Sequence, residues 1–248
     1  MEKCKDILTK YNLKINESKT EEIIIERKTK REDEKWRDII KLGSKIGDQE
    51  DIRRRKELAN TMMKNNDNIW KKKWTASLEK RLQLYNSLIK SILLYNCGTW
   101  GLSKTDERNL NSFHRKQLRQ VVGIKWPHRI SNRNLYRMTG SQEISKTITE
   151  RRWNLLGHIL RLNADTPARK SMRYYFEQRT SQKFLGRDRT TIVTTINKDI
   201  KRTKEEISSF PVTPLISSVS LQNIASKARN RKLWAGIVKQ VLYSAYSN

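Results

Sequence analysis

The carboxylates that could be asked to hold divalent cations are Asp33, Asp38, Asp48, Asp51 and Asp67. Two-metal phosphoryl chemistry needs carboxylates that converge on both ions, one activating a hydroxyl and the other neutralising the leaving group. Each of these five lies in a polar, basic stretch, and no apolar strand frames any two of them. They read as solvated surface acids. His114, His128 and His158 stand singly, and Cys4 and Cys97 fit no metal-ligand spacing. No residue is therefore assigned as catalytic or as a metal ligand, and no cofactor is expected in this chain. Two lone cysteines suggest a reducing compartment.

The cations carry the stronger signal. Arg53-Arg54-Arg55-Lys56 and Lys71-Lys72-Lys73 are dense runs, and Arg115, Lys116, Arg119, Arg151, Arg161, Arg187 and Arg189 extend the set. Phosphate contact is the functional reading; a solvated helix face is the plain one. Lys and Arg total 53 against 26 acids, a formal net charge of +27 over 248 residues. Such an excess repels itself when compact, and a polyanion offsets it. The expected partner is the RNA or DNA backbone, whose neutralisation releases counterions. Trp70 and Trp74 flank the lysine run and could stack on bases, although tryptophans so placed are more often core. No membrane partner is expected, because no amphipathic helix sets one clean apolar face beside a purely basic one, and no apolar run reaches the roughly 18 residues of a span. The N-terminus has no apolar signal region, so the expected location is intracellular, nucleus or cytoplasm.

The elements that must hold these side chains are mostly helical. Residues 1–12 read as the end of a short helix. Ile23-Ile24-Ile25 and Ile39-Ile40-Lys41-Leu42 are strand candidates, because β-branched runs favour strands. After Gly47, Ile52, Leu58, Met62 and Met63 recur at helical steps. Leu78, Leu82, Tyr85, Ile89 and Ile92 form the clearest apolar stripe. A third helix starts at Ser103, with Asp106 completing a capping box. Leu110, Phe113, Leu118 and Val121 give it an apolar face, and Gly123 ends it. Further helices are predicted at 131–138, 144–162, 167–177, 190–206 and 226–244. In the last, Leu233, Trp234, Ile237, Val238 and Val241 point inward. Residues 178–189 form a basic loop, and Pro211 and Pro214 mark a linker or irregular segment. On a wheel at about 100° per residue, Trp153, Leu156 and Leu160 share one side. Arg151, Asn154, His158 and Arg161 share the other, and Arg152 falls among the apolar residues and must snorkel. Cys97 packs at a helix end, and His158 is a surface or hydrogen-bonded histidine.

Several segments have familiar forms. Asn12-Leu13-Lys14-Ile15-Asn16-Glu17-Ser18-Lys19-Thr20 resembles "GLKINxxKT", and Lys41-Leu42-Gly43-Ser44-Lys45-Ile46 resembles "YLGSxI". Leu93 to Trp100 is similar to "LLYGCETW", and Leu118 to Trp126 to "LRRILGIKW". Arg151 to Arg161 is similar to "RRLRWLGHVLR", Gly186 to Thr191 to "GRPRTT", and Arg231 to Trp234 to "DRxxW". In this order they resemble the part of non-LTR (LINE-type) retrotransposon reverse transcriptases that follows the catalytic aspartates. Lys41, Thr99, Asp188 and Asn12 depart from the family pattern.

The resemblance implies a mainly α fold. A small α/β palm remnant at 1–47 would be followed by a three-helix thumb bundle at 48–123 and a basic helical C-terminal region at 124–248. It implies a primer-grip-like hairpin at Leu42, Gly43 and Ser44, which on its residues alone is equally an ordinary turn. It also places Lys19 near an incoming triphosphate, a role a surface lysine at a turn would not have. The paired-aspartate hairpin that binds Mg2+ in a full-length relative would lie before Met1, in a missing N-terminal polymerase segment. The expected function is template and primer binding by a fragment of an RNA-directed DNA polymerase that is inactive alone. The alternative is a nucleic-acid-binding or scaffold protein domesticated from such an element, or a remnant without selected function.

Overall fold

The computed structural model describes residues 2–16, 18, 35–72, 74, 76–177 and 190–246. The chain is mainly helical with a small two-stranded sheet, and it divides into two units, Met1–Glu50 and Asp51–Asn248.

In the first unit, helix α1 spans Glu2–Lys10. Strand β1 (Ile40–Lys41) pairs antiparallel with β2 (Ser44–Lys45), matching Ile40 to Lys45 and Lys41 to Ser44. The two residues between them, Leu42 and Gly43, have φ of 48° and 79°. Positive φ at both centres is the I′ geometry, whose twist suits a two-residue hairpin. Glycine takes it freely, whereas leucine takes it at some cost. Gly47 N–H donates to the Arg37 carbonyl at 2.9 Å and Lys45 pairs with Asp38 at 2.6 Å, closing the base of the hairpin. The strand expected at Ile23-Ile24-Ile25 lies outside the described residues.

The second unit is built from helices. They run from α2 (Asp48–Asn65, which opens in the first unit) through α3 (Asp67–Lys71) and α4 (Leu78–Leu84). A π-helical segment, Tyr85–Lys90, leads into α5 (Ser91–Leu93). Next come α6 (Lys104–Val122), α7 (Asn132–Thr139) and α8 (Ile144–Arg161). The chain closes with α9 (Pro167–Glu177), α10 (Ile192–Glu206), α11 (Ser218–Arg229) and α12 (Arg231–Tyr246). Local signals explain many boundaries. The Ser103 hydroxyl accepts from Asp106 N–H at 3.2 Å, and the Asp106 carboxylate accepts from Ser103 N–H at 3.0 Å. Gly123 closes the same helix at φ 80°.

The π segment shifts a predicted stripe. Its wider turn keeps residues four apart on one face, so Arg81, Tyr85, Ile89 and Leu93 are buried while Leu78, Leu82 and Ile92 are half-buried. Arg81 is tolerated inside because its guanidinium donates to the Val121 carbonyl in the last turn of α6, one of the acceptors a helix end leaves open.

Two apolar cores meet in α8. Ile144 and Ile148 belong to a core with Trp70, Tyr85, Leu93, Trp100, Leu110 and Leu118. Trp153, Leu156 and Leu160 belong to one with Ile196, Ile200, Val212, Ile224 and Trp234. The segment with Pro211 and Pro214 is irregular, but it is not a linker. Phe210, Val212 and Leu215 are buried in that second core, and Asn197 holds Leu215 by its N–H and its carbonyl, at 2.7 and 3.0 Å. The single helix expected at 226–244 is two helices. Asn230 stops α11 and turns its side-chain oxygen onto the N–H groups of Lys232 and Leu233, both at 3.1 Å, which starts α12. In α12, Trp234, Ile237, Val238 and Val241 are inward as expected, whereas Leu233 is exposed.

Arg152 does not snorkel. It is fully buried and pairs with Asp199 of α10 at 3.2 Å, and Trp153 Nε1–H donates to the same carboxylate oxygen at 3.0 Å. Burial raises the Asp199 pKa, opposed by Arg152 and the Trp153 N–H. Asp51 is likewise no surface acid. It is 1% exposed, accepts from Trp100 Nε1–H at 3.1 Å and pairs with Arg55 at 3.5 Å.

Glycines set the closest helix contacts. A Cβ at Gly157 would lie 2.2 Å from Trp234 Nε1, which donates to the Trp153 carbonyl at 3.2 Å across that gap. Gly157→Ala is expected to lose about 2 kcal/mol, because overpacking against a rigid indole exceeds alanine's helix advantage of about 1 kcal/mol. Denaturant unfolding checks this; an unchanged or raised midpoint would show that the indole can move aside.

Candidate nucleic-acid interface

Helix α6 organises the cationic surface of the second unit. Lys104, Arg108, Arg115 and Arg119 recur at four- and seven-residue steps, so they form one stripe, and Lys116 sits beside it. The stripe borders a groove of about 580 Å³ lined also by Asn111, Glu143, Arg202 and Tyr246. A second cavity of about 450 Å³ shares Glu143 and Tyr246 and reaches Arg133 and Lys146. The wall is braced by Asn111. Its side-chain oxygen accepts from Ser145 N–H at 3.1 Å, and its amide donates to Ser145 Oγ at 3.0 Å and Glu143 at 3.1 Å. This bond from α6 satisfies a donor at the start of α8, where the N-cap side chain makes no such bond. Burial raises the pKa of Glu107 on the groove wall, with Arg152 opposing. Arg115 lies 3.9 Å from Glu143, and Arg119 donates to Asn132 at 2.7 Å. Lys104, Arg108 and Lys116 are exposed.

The arginine run of α2 is not one surface. A helix turns four consecutive residues through its whole circumference. Arg53 is exposed, Arg54 half-buried, and Arg55 buried against Asp51 with its guanidinium 4.4 Å from the Tyr95 ring centre. Lys56 lies over the Phe113 ring at 5.4 Å. Lys71 pairs with Asp67 and remains largely exposed, as is Lys72. Trp70 is core, its N–H bonded to the Met63 carbonyl at 2.9 Å, whereas Trp74 is 82% exposed. Arg151 donates to the Leu94 carbonyl at 2.8 Å and Arg161 to the Ala228 carbonyl at 3.1 Å. Both cations thus serve helix C-terminal carbonyls, where positive charge is favourable. Lys19, Lys73, Arg187 and Arg189 lie outside the described residues. In the first unit, Leu42 is exposed at the hairpin tip and Ser44 is buried.

The segments with familiar forms meet by packing. A Cβ at Gly98 would lie 3.2 Å from the Arg151 carbonyl oxygen, and one at Gly101 2.9 Å from the Thr191 backbone. Gly157 and Trp234 complete the set. These positions explain glycine and tryptophan by close approach rather than by chemistry. Burial pushes the Cys97 thiol up to about 11, which suits an inert packing residue. His158 is exposed. Among the described residues, no group of three His, Cys, Asp or Glu side chains is placed to hold a metal, and no helix is long and apolar enough to cross a membrane.

Reading runs of adjacent cations missed Lys104, Arg108, Arg133, Lys146 and Arg202. The signal for the first two was present as four-residue spacing on one helix. The other three come together only through packing. No protein-family model, curated protein or solved structure matches this chain.

Proposed function

We propose that this chain binds RNA or DNA through the phosphate backbone without reading sequence. In this reading it corresponds to the end of the palm, the thumb and the downstream helical region of a non-LTR retrotransposon reverse transcriptase. The sequence holds no two adjacent aspartates, and in this reading the chain alone extends no primer. The observation that carries the binding reading is the α6 stripe of Lys104, Arg108, Arg115, Lys116 and Arg119 beside a groove, on a chain with net charge +27. Cations spaced along a helix meet successive phosphates, and each phosphate neutralised releases counterions.

The test is fluorescence anisotropy with a labelled duplex at several salt concentrations. Binding should weaken steeply with salt and be alike for unrelated sequences. Arg108→Gln with Lys116→Gln should make the logarithmic salt slope shallower by up to about two, roughly one for each phosphate that is no longer neutralised. Coincident slopes for the wild type and the double variant would remove α6 from the interface. Primer extension by the purified chain with Mg2+ and nucleotides would overturn the non-catalytic part.

A further inference from the structure

We propose that Trp126 is a stacking platform for an unpaired nucleobase, presented by the loop between α6 and α7. The inference rests on the nucleic-acid reading above and adds to it the kind of strand bound.

The loop is held at both ends and free in the middle. At its start, Gly123 N–H donates to the Arg119 and Gln120 carbonyls at 2.9 and 3.0 Å, and Ile124 N–H to the Arg119 carbonyl at 2.9 Å. At its end, Arg119 donates to the Ile130 carbonyl at 3.5 Å and to Asn132 at 2.7 Å. Ile124 and Ile130 both pack against the first core. Between these anchors, all five residues from Lys125 to Arg129 are exposed, and Trp126 is 83% exposed. A tryptophan has the largest apolar surface of any side chain to bury. Here the fold holds it out in water on an anchored loop whose next residue, Pro127, has a fixed φ.

The neighbours define the partner. Lys125, His128 and Arg129 are its exposed neighbours on the loop, and Arg133 and Arg137 follow, exposed, on α7. A ligand that matches must offer a flat π face and an anion close to it, and a nucleotide offers both. Asn132, Arg133 and Tyr136 of α7, the helix that follows the loop, line the second cavity, so further cations follow Trp126 along the chain. A duplex hides its base faces in its own stack, which makes the single strand the fitting partner.

The experiment uses the full chain, its Trp126→Ala and Trp126→Phe variants, and four probes. These are a labelled oligothymidine strand, the same strand with abasic sites, a blunt duplex, and phosphatidylserine–phosphatidylcholine vesicles. Trp126→Ala should weaken binding to the intact strand about 5- to 150-fold, the range for removing one base stack. Trp126→Phe should keep most of the affinity, and duplex and abasic binding should hardly change. An exposed position leaves folding intact, which an unchanged Tm verifies. If the wild type binds the strand and Trp126→Ala binds it equally well, or weakens as much on the abasic strand, the stacking role is overturned. If the alanine variant loses only vesicle binding, the loop is a lipid contact and the proposal is again overturned. A wild type that binds none of the nucleic acids overturns the nucleic-acid reading itself, and this inference with it.

Discussion

Asp199→Ala is expected to lower folding stability by about 3–5 kcal/mol, the cost of leaving a buried charge without its partner. Arg152 is fully buried between two helices, and Asp199 faces it at 3.2 Å while also accepting the Trp153 N–H. Alanine removes the acceptor of both bonds at once and leaves a guanidinium that cannot deprotonate. Arg152→Met should cost less, because it removes the charge and keeps apolar volume. The pair should be non-additive, with the double variant more stable than the sum of the single losses by about 0.5–3 kcal/mol. Urea unfolding of the four proteins, compared at constant m, measures this. An additive cycle would mean that the two groups do not hold each other in solution.

Acid should weaken the fold through His114. The ring is fully buried, 5.9 Å from the Tyr85 ring centre and 6.4 Å from that of Tyr136, and neither nitrogen has a hydrogen-bond partner among the described residues. Burial first, then Lys90 and Arg115, lower its pKa from 6.5 to about 3. The unfolded chain therefore binds a proton that the folded chain refuses between those two values. Stability is complete above the unfolded pKa and falls as pH drops through that window. At about 1.4 kcal/mol per pH unit, roughly 3 kcal/mol should be gone by about pH 4. The difference between wild type and His114→Phe, which keeps a ring in the stack, isolates this share from that of the carboxylates. A direct check is the His114 ring resonance, which should stay flat from about pH 5 to pH 8. A ring that titrates near 6.5 would show that water or a counter-charge reaches it.

These two groups also mark where sequence reading stops. The helix from Ser103 to Gly123 was legible in full, because its start, its end and its apolar face depend on residues within a few positions of one another. The wheel of α8 placed Trp153, Leu156 and Leu160 correctly for the same reason. The strand candidate at 39–42 is found as Ile40–Lys41, with Leu42 in the turn to Ser44–Lys45. Asn230, by contrast, divides what periodicity joined, because the apolar pattern runs on across it.

Charge was legible as a total and not as a distribution. The +27 excess and the mainly helical fold depend on composition and local spacing, which the chain order alone contains. Which cations face out was decided by tertiary structure. Arg55, Arg81 and Arg152 are buried because Asp51, the Val121 carbonyl and Asp199 meet them there, the last two 40 and 47 residues away. Arg151 and Arg161 turn to carbonyls 57 and 67 residues distant. A buried charge is tolerable only where a partner awaits it. Long-range partners are set by packing, so no local pattern can separate an arginine that closes a helix from one that is free to hold a phosphate.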